Sequence, residues 1–155
     1  MISMVLFIYG VANIIGNVIG GRLLSKNAAR SVKVIPVALV AGYLLFFTLG
    51  EQAMAMMLIV LGLGILAGAA SNNNQYMLTN AAPEAPDFAN GLFLTSTNLG
   101  TAVGTAVCGL FISSMGIRYV VIGTLLFLAA GIISVFVRYW SRERVQASDM
   151  SYSVK

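Results

Sequence analysis

The stretch that decides the fold is residues 71–104, SNNNQYMLTNAAPEAPDFANGLFLTSTNLGTAVG. It opens as the polar end of a long apolar run and passes a turn bracketed by prolines, Pro83-Glu84-Ala85-Pro86-Asp87. It then enters a second apolar run in which Thr, Asn and Gly stand in place of Leu. A side-chain amide in hydrocarbon without a partner costs several kcal/mol, roughly 4–8 on a cyclohexane scale. Amides at membrane depth therefore face protein or a water-filled path. On that ground Asn72, Gln75 and Asn98 mark this hairpin as the wall of a polar route through a bilayer.

The rest of the composition agrees with a membrane setting. The 155 residues are 59% hydrophobic and 9% charged, against about 25% charged in soluble domains. The charges fall in short clusters separated by long uncharged runs, so the chain reads as an integral membrane protein whose surroundings are the lipid bilayer. The formal charge of +4 is then a topology signal, and no nucleic-acid partner is expected. Histidine is absent, which removes the commonest general base and metal ligand. No acidic residue lies inside an apolar run, so no catalytic constellation, metal site or cofactor is expected, and the chain reads as a non-enzyme. Cys108 sits in an apolar run as a small packing residue. The start, MISMVLFIYGVANIIGNVIGGR, lacks a basic n-region and is too long for a signal peptide, so it reads as a span.

Uncharged runs near the roughly 20 residues needed to cross a bilayer predict five transmembrane helices, at about 1–24, 34–49, 53–79, 88–114 and 119–137. The residues to 138 form a transmembrane half-bundle, and 139–155 a polar, disordered cytoplasmic tail. The segment between the first two runs carries Arg22, Lys26, Arg30 and Lys33, and the tail Arg138, Arg142 and Arg144. The positive-inside rule puts both in the cytoplasm, so five spans place the N-terminus outside and the C-terminus inside. Such an N-terminus is awkward to insert without a preceding span, which hints at a missing upstream part. Tyr119 opens the last helix, while Tyr139 and Trp140 close it, as interfacial aromatics do. Asp87 reads as the N-cap of the fourth helix, and Gly116 as the αL residue ending it.

Helical periodicity sorts the faces. In the first run Tyr9, Gly10, Asn13, Gly16, Asn17, Gly20 and Gly21 share one arc of about 140°. In the third, Gly64, Gly68, Ser71, Asn72, Gln75 and Thr79 share a side, while Asn73 and Asn74 point elsewhere, to the cytoplasmic mouth or to protein contacts. In the fourth, Thr97, Asn98, Gly100, Thr101, Gly104 and Thr105 oppose Leu92, Leu99, Val103 and Leu110. The small-residue pairs Gly16/Gly20 and Gly100/Gly104 read first as helix packing, and Thr in such helices often bonds its own i−4 carbonyl. The candidate substrate path is Asn13, Asn17, Ser71, Asn72, Gln75, Tyr76, Asn98 and Thr101. The second and fifth runs are almost wholly apolar and can meet lipid all round. Helix character thus runs polar, apolar, polar, polar, apolar, as in one complete helical triplet preceded by the last two members of another. Repeated triplets are a transporter device.

Two motifs carry a family resemblance. Asn80-Ala-Ala-Pro-Glu-Ala-Pro-Asp-Phe-Ala-Asn90, followed by Thr97-Asn98-Leu99-Gly100, is similar to the loop and entry of the eleventh helix in the drug, sugar and purine efflux branch of the major facilitator superfamily, which includes arabinose-efflux-like permeases. Gly20-Gly21-Arg22-Leu23-Leu24-Ser25-Lys26 resembles the basic loop motif after the eighth helix, with Ser25 where an Asp is usual and Ala28 where a Gly is usual. Gly21, Arg22, Lys26 and Arg30 are its members here. The resemblance implies an all-α fold equivalent to helices 8–12 of twelve, alternating access, proton antiport and a plasma-membrane location. It also implies a small-molecule substrate and a missing N-terminal half, so that the chain is a C-terminal fragment. A competing reading is a self-standing small membrane protein that oligomerises through its GxxxG faces as a scaffold or pore.

Overall fold

The computed structural model describes residues 2–153, with the side chains of residues 3–138 and Trp140. Four α-helices follow one another: α1 (Ile2–Leu49), α2 (Ala53–Thr79), α3 (Pro86–Met115) and α4 (Val120–Ser153), the last entered through a 3₁₀ turn, Ile117–Tyr119. All four contain stretches long and apolar enough to cross a membrane. The chain is an all-α, multi-pass integral membrane protein.

At 1.5 Å per residue α1 would span about 72 Å, more than twice a bilayer core of about 30 Å. It is not one rod. Asn27 leaves helical geometry, with φ −160° and ψ 88°, and its Oδ1 accepts the Arg30 N–H at 3.0 Å. That is an N-cap bond to the third residue of a new helix. The neighbours on α2 give the direction of each arm. Along residues 2–26, Ala12 meets Gly64, Gly16 meets Ile65 and Gly20 meets Ala69, so this arm runs parallel to α2. Along residues 28–49, Ser31 meets Asn73 and Gly42 meets Leu63, so the second arm runs antiparallel. The chain therefore reverses at Asn27. The nine-residue loop expected between the first two runs is contracted to this single residue, because a capped Asn can turn the chain while its neighbours stay helical.

α2 lies between the two arms. Against the first arm the contact is backbone to backbone. A Cβ on Gly16 would meet the Ile65 carbonyl, one on Gly68 the Asn13 carbonyl, and one on Gly20 would lie 2.6 Å from the Ala69 Cα. A Cβ on Gly64 would lie 2.8 Å from that of Ala12. Against the second arm the contact is a side-chain core of Ile35, Leu39, Leu63 and Ala69, joined by Tyr43, Phe46, Ile59, Leu66 and Leu128 of α4. The second arm and α4 were expected to be free to meet lipid all round. Instead each gives one side to packing, burying Val32, Ile35 and Leu39 in one case and Val121 in the other. An apolar helix packs as readily on protein as on lipid once shapes fit.

The two turns at one end are tied together. Arg118 Nη1 lies 3.0 Å from Glu51 Oε1, and the guanidinium sits 5.0 Å from the Phe47 ring centroid. At the other end Arg138 Nη2 donates to the Met77 carbonyl at 3.2 Å, in the last turn of α2, where cations are favoured. Gly116 ends α3 with φ 100° and ψ 164°. The positive φ needs glycine, but that ψ lies outside the αL region expected. Asp87 does not cap α3. Ala85 holds that position with Pro86 at the start, so Asp87 lies within the first turn, where its charge still favours the helix N-terminus. Beyond Arg138 the backbone stays helical through Ser153, where a disordered tail was expected. The segment Ser-Arg-Glu-Arg-Val-Gln-Ala is rich in helix formers and has neither Gly nor Pro to stop propagation. The Tyr139 side chain, half of the expected aromatic pair, and residues 154–155 lie outside the described set.

Candidate functional site

The polar side chains at mid-helix depth form two groups. The first ties the first arm of α1 to α2. Asn17 Nδ2 donates to the Asn13 carbonyl at 3.0 Å and to Asn13 Oδ1 at 3.1 Å. Asn72 Nδ2 donates across the interface to the Asn17 carbonyl at 2.5 Å. Asn13, Asn17 and Asn72 are thus one continuous chain of amides, half-buried beside the glycine contact. Close backbone approach and this chain have the same cause, since only where Gly16, Gly20, Gly64 and Gly68 remove side chains can α2 reach the α1 carbonyls. Ser71 is half-buried beside this chain, and Tyr76 is exposed farther along α2.

The second group lies on α3. Thr101 donates to the Thr97 carbonyl at 2.8 Å and Thr105 to the Thr101 carbonyl at 2.8 Å. Their hydroxyl protons are committed, so toward any third group these side chains offer lone pairs. Asn98 is exposed, and its amide keeps both donor and acceptor capacity. A Cβ on Gly100 or Gly104 would meet nothing within 4 Å, so the expected packing role finds no partner within the chain. The opposite face, with Leu99 64% and Leu110 67% exposed, is the oily one. Between the two groups Gln75 Nε2 donates to Asn90 Oδ1 at 2.9 Å, linking α2 to the start of α3. Among the described residues no buried side-chain N or O lacks a partner, and no three His, Cys, Asp or Glu side chains gather as for a metal.

The structure joins Asn13, Asn17 and Asn72, and sets Asn98 and Thr101 apart on the open side of α3. One pair escaped sequence reasoning. Ser31 Oγ donates to Asn73 Oδ1 at 3.0 Å, and Asn73 Nδ2 donates back to the Ser31 carbonyl at 3.1 Å. Both residues are buried. Asn73 was placed off the polar face of its helix, with protein contact one of two readings. Ser31 lay hidden in a segment read for its charges; the signal available was Asn27 three residues before Arg30, a cap that starts a helix early. Arg22, Lys26 and Arg30 of the basic motif are exposed around the reversal, and Gly21 has open space where a Cβ would be.

A bundle of apolar helices with glycine-mediated contacts and an amide chain at depth has the build of a membrane transport protein. The family model described as Major Facilitator Superfamily matches residues 1–150, and the chain belongs to that family. It is 26% identical over 118 residues to a "Probable sugar efflux transporter" of Helicobacter pylori (strain J99 / ATCC 700824), covering 76% of this chain and 30% of that protein. It is 32% identical over 148 residues to the "Uncharacterized MFS-type transporter YtbD" of Bacillus subtilis (strain 168), covering 91% and 36%. A "Probable sugar efflux transporter" of Pasteurella multocida (strain Pm70) is 23% identical over 155 residues, covering 100% and 38%. The chain thus spans about a third of the length of the relatives it matches. No solved structure matches it.

Proposed function

We propose that the chain forms five membrane crossings of an efflux transporter that moves a small polyhydroxylated solute of the sugar class by alternating access. It works with a complementary set of helices that supplies the other wall of the path. The observation that carries this reading is the exposed polar face of α3. It pairs hydroxyl oxygens committed to act as acceptors with one uncommitted amide, Asn98. Sugar hydroxyls are donors and acceptors at once, and such a face meets both needs. The names of two of the relatives quoted support sugar over other solutes.

The chain sits in the plasma membrane with the basic reversal near Asn27 and the α4 end on the cytoplasmic side, and the Glu51–Arg118 end outside, an orientation that the distribution of Lys and Arg supports. Transport is coupled to protons. The acidic residues, Glu51, Glu84, Asp87, Glu143 and Asp149, all fall outside the apolar runs, so the carboxylate that carries the proton belongs to the complementary helices.

Asn98→Leu in the gene that encodes this chain tests the reading. Efflux of radiolabelled arabinose from preloaded cells is expected to fall about fivefold or more, the loss of a hydrogen bond left unpaired in a polar site being on the order of 1–3 kcal/mol. The amount of protein in the membrane stays unchanged. Unaltered efflux with normal insertion removes Asn98 from the path.

A further inference from the structure

We propose that the corner at Asn27 is a binding site for an anionic phospholipid, its phosphate held by Arg22 and Lys26 and one acyl chain lying along the first arm of α1. Three observations converge. First, Arg22, Lys26 and Arg30 are exposed, and the ion pair among the described residues is made elsewhere, by Glu51 and Arg118. No acidic residue occurs before Glu51. Second, Arg22 and Lys26 are one turn apart on the same side of the helix, which places their Cβ atoms about 5–6 Å from each other. Two long cationic side chains at that spacing can close on a single phosphodiester. Third, an open groove of about 680 Å³ adjoins both cations; its lining takes in Val18, Ile19, Leu23 and Ser25, and it reaches Asn17 and Gly21 on the polar arc.

The groove has a direction. Its Arg22–Lys26 end lies beside the chain reversal, and its Val18–Ile19 end lies a turn or more deeper in the apolar run, with Val18 54% and Leu23 44% exposed. The hydroxyl proton of Ser25 is committed to the Gly21 carbonyl at 3.0 Å, so the headgroup is held by charge rather than by that donor. A site cationic at the membrane edge and apolar below it matches an amphiphile with a net negative headgroup. Free phosphate would use only half of it, and a zwitterionic lipid would leave the cations uncompensated. Phosphatidylglycerol meets both ends. Each Lys or Arg near an anionic surface contributes about fivefold in affinity.

The experiment uses the whole purified chain in detergent micelles at physiological salt, with bound lipid read by native mass spectrometry. Phosphatidylglycerol is expected to be retained at least tenfold over phosphatidylcholine, and equimolar inorganic phosphate should not displace it. Arg22→Gln with Lys26→Gln should lower retention about 25-fold, Val18→Ser with Leu23→Ser should lower it as well, and Arg118→Gln at the other end should leave it unchanged. Equal retention of the two lipids by the unsubstituted chain overturns the proposal without recourse to any variant. So does displacement by phosphate, which makes the corner a plain anion site, or undiminished retention in the Arg22/Lys26 variant.

Discussion

Asn73 is among the most enclosed polar side chains described, 3% exposed, and it is held by two bonds to a single residue, Ser31. Ser31→Ala removes one of them and leaves the Asn73 oxygen without a donor. In lipid-embedded bundles such interhelical bonds average about 0.6 kcal/mol and reach about 1.7. The burial of Asn73 puts this pair at the upper end. Thermal unfolding in detergent should show the loss, and Asn73→Leu, which strands the Ser31 hydroxyl in turn, should show a similar one. Thr101→Val behaves differently. Its hydroxyl serves its own helix at an exposed position, so stability changes by less than about 0.5 kcal/mol, and any loss of transport reflects the missing acceptor. The amides of residues 71–104 announced themselves in the sequence because they are costly in hydrocarbon. Which of them bond to protein and which stay open was not legible, since that depends on the neighbour each one meets.

At the scale of elements, the glycine contact between the first arm of α1 and α2 is the least forgiving feature. Gly68→Val pushes a side chain into the Asn13 carbonyl and the Asn17 backbone. Neither can yield without moving a helix, so the cost should exceed the 1–3 kcal/mol of ordinary overpacking. Gly62→Val faces open space and should stay within about 0.5 kcal/mol of the parent. Denaturation midpoints of the two variants in one detergent make the comparison. Periodicity marked Gly16, Gly20, Gly64 and Gly68 as lying on polar or small faces, and the extent of α2, 53–79, matches its uncharged run. The reversal at Asn27 was obscured because charge was read as loop. Arg22, Lys26, Arg30 and Lys33 are good helix formers, and they continue both arms up to the one residue that turns.

For the whole molecule, long-range order rests on α2 held between two antiparallel arms, with α4 tied by Arg118 in the turn before it and by Arg138 midway along it. The pin at Glu51–Arg118 is solvent-exposed, with the Arg118 side chain 54% and that of Glu51 79% exposed, and pairs of that kind contribute about 0–1 kcal/mol. Glu51→Gln should therefore shift the unfolding midpoint little, and what shift there is should vanish at high salt. By contrast α3 gives little of its surface to the rest of the chain, Ala89 being its one buried residue among those described. The sequence divided α3 into a polar and an oily side; it could not indicate that both would be open, because that depends on contacts outside the helix.

The two open sides of α3 should meet different surroundings, water on one and lipid on the other. With Cys108 replaced by Ala, single cysteines at Asn98, Thr101, Leu99 and Leu110 are exposed in native membranes to a membrane-impermeant thiol reagent. Cysteines at Asn98 and Thr101 should label and those at Leu99 and Leu110 should stay unmodified. Labelling at the two leucine positions with none at Asn98 and Thr101, or equal protection at all four, would contradict a solute passage along α3.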